Sequence, residues 1–181
     1  FIDAKADVGI DGFIIRGGLA NGLNFNACGG AVCITDTAPA PVGCTSISLT
    51  RCIITDNIAN AGDTNVRGGA GVYSAYTSNL RIANCTFHNN KTYNYNPGSA
   101  GTGMRIGGGG LYLAFSRGNV LVDECTFTSN TVQQRVPWMY TNYGEMGGGG
   151  IFVYGGASPN QGVVITNSTF MGNRVAPWGT P

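Results

Sequence analysis

The chain has 181 residues, with ten Lys+Arg against nine Asp+Glu and a formal charge of +1, so it lacks the basic footprint on which ordinary nucleic-acid binding depends. A hydrophobic content of 43% against 10% charged residues excludes a disordered, strongly solvated chain. Thirty glycines without a period of three exclude collagen, and no apolar run approaches the ~20 residues that a membrane-spanning helix needs.

The chain opens on Phe1-Ile2-Asp3-Ala4-Lys5, which is not a basic region followed by an apolar one. A signal peptide has therefore been removed, or the chain is a piece of a longer one. A first strand-like stretch runs from Val8 to Gly18. Glycine clusters follow at Gly29-Gly30, Gly68-Gly69, Gly107 to Gly110 and Gly147 to Gly150. Each opens a short apolar run, at 31–34, 72–75, 111–114 and 151–154. A second run follows at 47–49, 80–82, 120–122 and 163–165, and a third at 52–54, 85–87, 125–127 and 168–170. Each third run ends three residues on in asparagine: Asn57, Asn90, Asn130 and Asn173, with Gly18 in the earliest copy.

Apolar residues alternating with small or polar ones signal strands, and no segment carries a helical period. Three short strands per repeat of 33 to 43 residues predict one coil of a solenoid. The length differences predict insertions at 91–106 and 131–146. In a parallel stack, equivalent positions lie ~4.8 Å apart, so like residues form columns. The predicted columns are Phe13, Cys52, Cys85, Cys125, Ser168; Ile15, Ile54, Phe87, Phe127, Phe170; and Asn57, Asn90, Asn130, Asn173. An inward asparagine at a corner bonds its stacked neighbour and the backbone groups that the turn would orphan.

The paired tetrapeptides carry a resemblance. The first reads Gly29-Gly30-Ala31-Val32, Gly68-Gly69-Ala70-Gly71, Gly108-Gly109-Gly110-Leu111 and Gly148-Gly149-Gly150-Ile151. The second reads Phe87-His88-Asn89-Asn90, Phe127-Thr128-Ser129-Asn130 and Phe170-Met171-Gly172-Asn173, with Ile54-Thr55-Asp56-Asn57 as a variant. Four copies in alternating order resemble the repeats of chlamydial polymorphic membrane proteins and related bacterial and algal surface proteins. The resemblance implies an all-β, right-handed parallel β-helix of the pectin-lyase-like class, here a single domain over 1–181 with about four full coils. It also implies a secreted or surface-displayed protein, often adhesive.

Polysaccharide lyases and glycosidases share that fold, and glycosidases need two carboxylates at a set separation. Of the nine acids only Asp123-Glu124 are adjacent; neighbours on a strand point to opposite faces, whereas at a corner the two converge, with Arg81 one coil below, or form a solvated corner. His88, the single histidine, reads as an outward strand residue. The glycines at 107–110 precede a strand rather than a helix, so they are no phosphate cradle. No Cys-x-x-Cys pair exists, and neither a zinc site nor any cofactor is expected. Cys52, Cys85 and Cys125 read as buried free thiols, because parallel Cβ vectors make a bridge awkward. Cys33 with Cys44 is the first choice of disulfide, and Cys28 with Cys44 the second.

Asn84-Cys85-Thr86 and Asn167-Ser168-Thr169 match the N-glycosylation pattern at one shared corner, whereas Asn90-Lys91-Thr92 belongs to the inward column. Tyr73, Tyr112 and Phe152 occupy one position of successive first strands. They form either an exposed column that stacks sugar rings or docks a partner, with Trp138 of an insertion folding over it, or a second small core covered by the insertions.

The leading expectation is a non-catalytic structural or adhesive β-helix module, extracellular or at the cell surface. It joins end to end in a filament or to further coils of a longer chain, carries glycans on its corner, and has no nucleic-acid partner or membrane insertion. The rival is a carbohydrate-active enzyme or sugar-binding module of the same fold.

Overall fold

The computed structural model describes residues 7–22, 29–35, 46–61, 68–77, 79–94, 105–114, 118–134, 145–155 and 162–176. Among them every element is a strand, and every pairing is parallel and in register with the equivalent strand of the next coil. The first sheet holds Val32–Thr35, Val72–Ala75, Leu111–Ala114 and Ile151–Tyr154. The second holds Val8–Asp11, Ile47–Thr50, Leu80–Ala83, Val120–Asp123 and Val163–Thr166. The third holds Ile14–Arg16, Ile53–Thr55, Thr86–His88, Thr126–Thr128 and Thr169–Met171. The chain is thus a parallel β-helix of four full coils above a partial first one.

Period-2 alternation decides which side chains enter the core. In Ile47–Thr50 the two apolar residues are buried and Ser48 and Thr50 are only partly so. The core runs up the axis as Val32, Val72 and Leu111 from the first sheet, Ile47, Leu80 and Val120 from the second, and Ile54, Phe87 and Phe127 from the third. Phe87 and Phe127 stack with centroids 4.5 Å apart and planes 8° from parallel, and Phe127 and Phe170 do so at 4.9 Å and 4°. Rings this close are the coil spacing made visible in side chains. Two corners flank the third sheet, each turned by one left-handed residue. Arg51, Asn84, Glu124 and Asn167 (φ 48 to 55) turn the one before it, and Asp56, Asn89 and Ser129 (φ 52 to 56) the one after.

Two expectations need correcting. Each coil has four strands, not three. The fourth sheet, Leu19–Gly22, Ile58–Ala61, Lys91–Asn94, Thr131–Gln134 and Arg174–Ala176, follows each ladder position. The predicted insertions therefore begin and end as strands, since Arg105–Gly107 also pairs with Glu145–Gly147. The glycine motif is also out of register in its second copy. Val32 pairs with Val72, which pairs with Leu111, so Gly69-Ala70-Gly71-Val72 is the segment equivalent to Gly29-Gly30-Ala31-Val32.

The same geometry explains why the two tetrapeptides travel together. A Cβ on Gly110 would lie 3.0 Å from a ring carbon of Phe127, and one on Gly109 would lie 2.6 Å from the backbone nitrogen of Thr131. The glycine stretch and the Phe-x-x-Asn stretch of one coil are two sides of a single backbone contact. Glycine is needed because the coil is too thin there for a side chain.

Candidate functional site

The asparagines form a continuous chain of hydrogen bonds. Asn57 N–H donates to Asn90 Oδ1 (3.2 Å), Asn90 N–H to Asn130 Oδ1 (3.1 Å) and Asn130 N–H to Asn173 Oδ1 (3.0 Å). The Nδ2 of Asn57, Asn90 and Asn130 donates upward to the next Oδ1 as well. Each Nδ2 also donates downward to a carbonyl of the coil below: Asn57 to Ile15, Asn90 to Ile54, Asn130 to Phe87 and Asn173 to Phe127. Asn57, Asn90 and Asn130 are fully buried. These are steps of 33, 40 and 43 residues, so the bond pattern is indifferent to what is inserted elsewhere in the coil.

The cysteine column works similarly. Cys52 N–H donates to Cys85 Sγ (3.4 Å), and Cys125 N–H to the hydroxyl of Ser168 (3.1 Å). Cys52, Cys85 and Cys125 are free and buried. The neighbouring Cys125 and burial push the Cys85 thiol up, so it stays protonated and unreactive. Cys33 by contrast is disulfide-bonded. The first-choice partner Cys44 lies outside the described residues, as does Cys28; the second choice, Cys28 with Cys44, is corrected, because with Cys52, Cys85 and Cys125 free it would leave the bonded Cys33 no partner.

The adjacent acids Asp123 and Glu124 lie at the corner before the third sheet. Asp123 ends a second-sheet strand and Glu124 turns the corner. The Asp123 carboxylate accepts from Thr166 Oγ1 (2.8 Å) and Asn167 Nδ2 (3.0 Å) of the next coil, and these bonds hold its pKa below the usual range. Asp11 repeats the arrangement three coils earlier, accepting from Thr50 Oγ1 (2.7 Å) and pairing with the Arg51 guanidinium. Asp7 accepts from Ser46 Oγ (2.9 Å). Asp56 accepts from Asn89 Nδ2 (2.6 Å) and Thr55 Oγ1 (2.9 Å), which lower its pKa. All four described aspartates therefore clasp a donor one coil above. A carboxylate stacked on a carboxylate would repel, and alternating acid with donor removes that cost. Sequence reading missed these clasps, although Asp11 with Thr50 and Asp123 with Thr166 share one column once the strands are aligned. His88 faces outward with Nδ1 2.9 Å from Thr128 Oγ1. Among the described residues no three His, Cys, Asp or Glu side chains gather where they could hold a metal.

The exposed aromatic column proposed as a binding surface does not exist. Tyr73 is 0% and Tyr112 2% exposed, and Phe152 is half-buried. They stack at 5.3 and 5.2 Å and, with Cys33, Ala75 and Ala114, form a second cluster on the outer side of the first sheet. Alternation sends them outward as expected. The backbones of Gly107 and Gly147 lie against the Phe152 ring, and Tyr76 and Tyr154 pack against the same cluster. Trp138 lies outside the described residues.

Asn84 and Asn167 are exposed at the same corner column, with Glu124 between them. Asn90, in the third acceptor triplet, is buried within the ladder and closed to modification. A family model described as a right handed beta helix region matches residues 7–179. No curated protein and no solved structure matches the chain.

Proposed function

We propose, from the premise that the chain belongs to the right-handed β-helix family, that it is a non-catalytic structural or adhesive module of an extracellular or cell-surface protein. The observation that carries this reading is the use of the acids. Every described aspartate is committed to a coil-to-coil clasp, a use of acids that favours a scaffold over the pair of opposed carboxylates that glycosidic chemistry needs. The Cys33 disulfide supports an oxidising compartment. The alternating glycine and Phe-x-x-Asn tetrapeptides support kinship with surface-displayed, polymorphic-membrane-protein-like repeats, whose role is display and adhesion. Asn84 and Asn167, exposed on one edge, are the positions that would carry glycans in a secreted eukaryotic protein. As a subunit of a surface filament or a segment of a longer solenoid, the module joins further coils at the ends of its stack.

The test is incubation of the purified chain with acidic and neutral polysaccharides, followed by reducing-end and unsaturated-product assays. No turnover is expected. Turnover abolished by Asp123→Asn or Glu124→Gln would replace this reading with that of a polysaccharide lyase or glycosidase.

A further inference from the structure

The carboxylates are spread unevenly up the stack. Coils one to four are those whose third-sheet strands are Ile53–Thr55, Thr86–His88, Thr126–Thr128 and Thr169–Met171. No Asp or Glu lies between Asp63 and Asp123, so coil two is built without an acid. Coil one reaches up to it at the corner after the third sheet, where Asp56 accepts from Asn89 Nδ2. Coil three reaches up at the other corner, where Asp123 accepts from Thr166 Oγ1 and Asn167 Nδ2 of coil four. Between coils two and three, no described carboxylate takes a side-chain hydrogen bond. That seam is held at its surface by His88 Nδ1 and Thr128 Oγ1, 2.9 Å apart. The contact outlasts protonation, because an imidazolium donates from Nδ1 and the hydroxyl accepts.

The groups that face the two acids are few. Asp56 meets the Asn89 amide and the Thr55 hydroxyl, with His88 and Lys91 of coil two nearby. Asp123 meets Thr166 and Asn167 above it and Arg81 of coil two below it. In both cases the donors, rather than the charges, are the first cause of a carboxyl held below its ordinary range. Such a group contributes stability that is present above its unfolded pKa of about 3.9 and is lost as pH falls through the folded value. Arg81 attracts Asp123 across the seam between coils two and three without a hydrogen bond, and at an exposed corner water screens that attraction.

We infer that the stack is acid-sensitive at alternate seams: acid loosens coil one from coil two and coil three from coil four, and leaves coil two joined to coil three. The seam without a carboxylate clasp is therefore the one that holds in acid. The order in which the coils loosen follows from where the sequence places its aspartates, while the asparagine ladder, which does not titrate, crosses all three seams alike.

The inference goes beyond the scaffold reading and does not rest on it, since its test reads backbone amides and not turnover. At each corner one amide donates across each seam. Asp56 N–H bonds the His88 carbonyl (3.2 Å) across the first seam, and Asn89 N–H bonds the Thr128 carbonyl (3.0 Å) across the middle one. At the other corner Glu124 N–H bonds the Thr166 carbonyl (3.3 Å) across the last seam, and Asn84 N–H bonds the Asp123 carbonyl (3.0 Å) across the middle one. Hydrogen exchange of the whole chain is followed from about pH 6 to about pH 3, each rate being divided by that of an unstructured peptide at the same pH. Protection at Asp56 and Glu124 is expected to fall at least about fivefold more than at Asn89 and Asn84. The double variant Asp56→Asn with Asp123→Asn keeps the side-chain shapes and removes the titration, and in it the four amides are expected to lose protection equally. Equal losses in the unaltered chain, or a greater loss at Asn84 and Asn89, overturn the inference. So does an unequal loss that persists in the double variant.

Discussion

Two aromatic columns climb the molecule side by side. The inner one, Phe87, Phe127 and Phe170, is stacked within 8° of parallel, whereas the outer one, Tyr73, Tyr112 and Phe152, is tilted by 24° and 33°. Both have the same coil repeat. They differ in what surrounds them. Every neighbour of the inner column is supplied by the repeat itself, from the asparagine ladder on one side to the glycine stretch on the other. Among the described residues the outer column packs with Cys33, Ala75 and Ala114 and against Tyr76, Tyr154 and the backbones of Gly107 and Gly147. Rings flanked by a hydrogen-bonded ladder lie parallel, and rings in this smaller apolar cluster tilt.

The strongest way to break this comparison is to empty each column in turn. Phe127→Ala is expected to cost about 3–5 kcal/mol, because the rigid inner column cannot close the cavity. Tyr112→Ala is expected to cost less, about 2–3 kcal/mol, since the tilted rings of the smaller outer cluster can shift into the space. Chemical denaturation of both variants checks the order, and an equal or reversed order would erase the distinction. Next comes the polar half of the inner column. Asn130→Ala is expected to cost about 1–3 kcal/mol by leaving the buried Asn90 N–H and the Phe87 carbonyl unpaired.

Acid sharpens the comparison at the surface. The folded-state pKa values of Asp56 and Asp123 are lowered by donors on neighbouring side chains. A depressed carboxylate contributes stability that is present above its unfolded pKa of about 3.9 and is lost as pH falls through the folded value. Melting temperature is therefore expected to fall below about pH 4, and less so in Thr166→Val, which removes a donor from Asp123. An identical acid dependence in that variant would show that the clasp contributes nothing. The smallest expected effect is at Glu124, whose φ of 51° is unfavourable for a side chain. Glu124→Gly is expected to be neutral or to stabilise by up to about 1 kcal/mol in thermal melts.

The inner columns were legible in the sequence because stacking repeats the same demand in every coil, so Cys125, Phe127 and Asn130 have recognisable counterparts. The fourth sheet was not. Its inward residues Ala59, Thr92 and Val132 share size limits rather than chemistry, and their strand conformation comes from packing across the coil onto the glycine stretch, as in the bond from Ala70 N–H to Thr92 Oγ1. The register slip near Gly69 arose because Ala70 interrupts the glycines, whereas the pairing is set by Val72. Outward direction was readable for Tyr73 and Tyr112, but their burial was not, because alternation decides only which face of the strand a side chain takes.

The account rests on a ladder in which each asparagine serves the coil beneath it. Hydrogen exchange at the ladder amides of Asn130→Ala tests this most directly. The Asn90 N–H loses its acceptor in that variant, whereas the Asn57 N–H keeps Asn90 Oδ1. The account predicts that Asn90 exchange accelerates by at least about tenfold relative to Asn57 in the same molecule. Equal acceleration at the two amides, or none at Asn90, would contradict it.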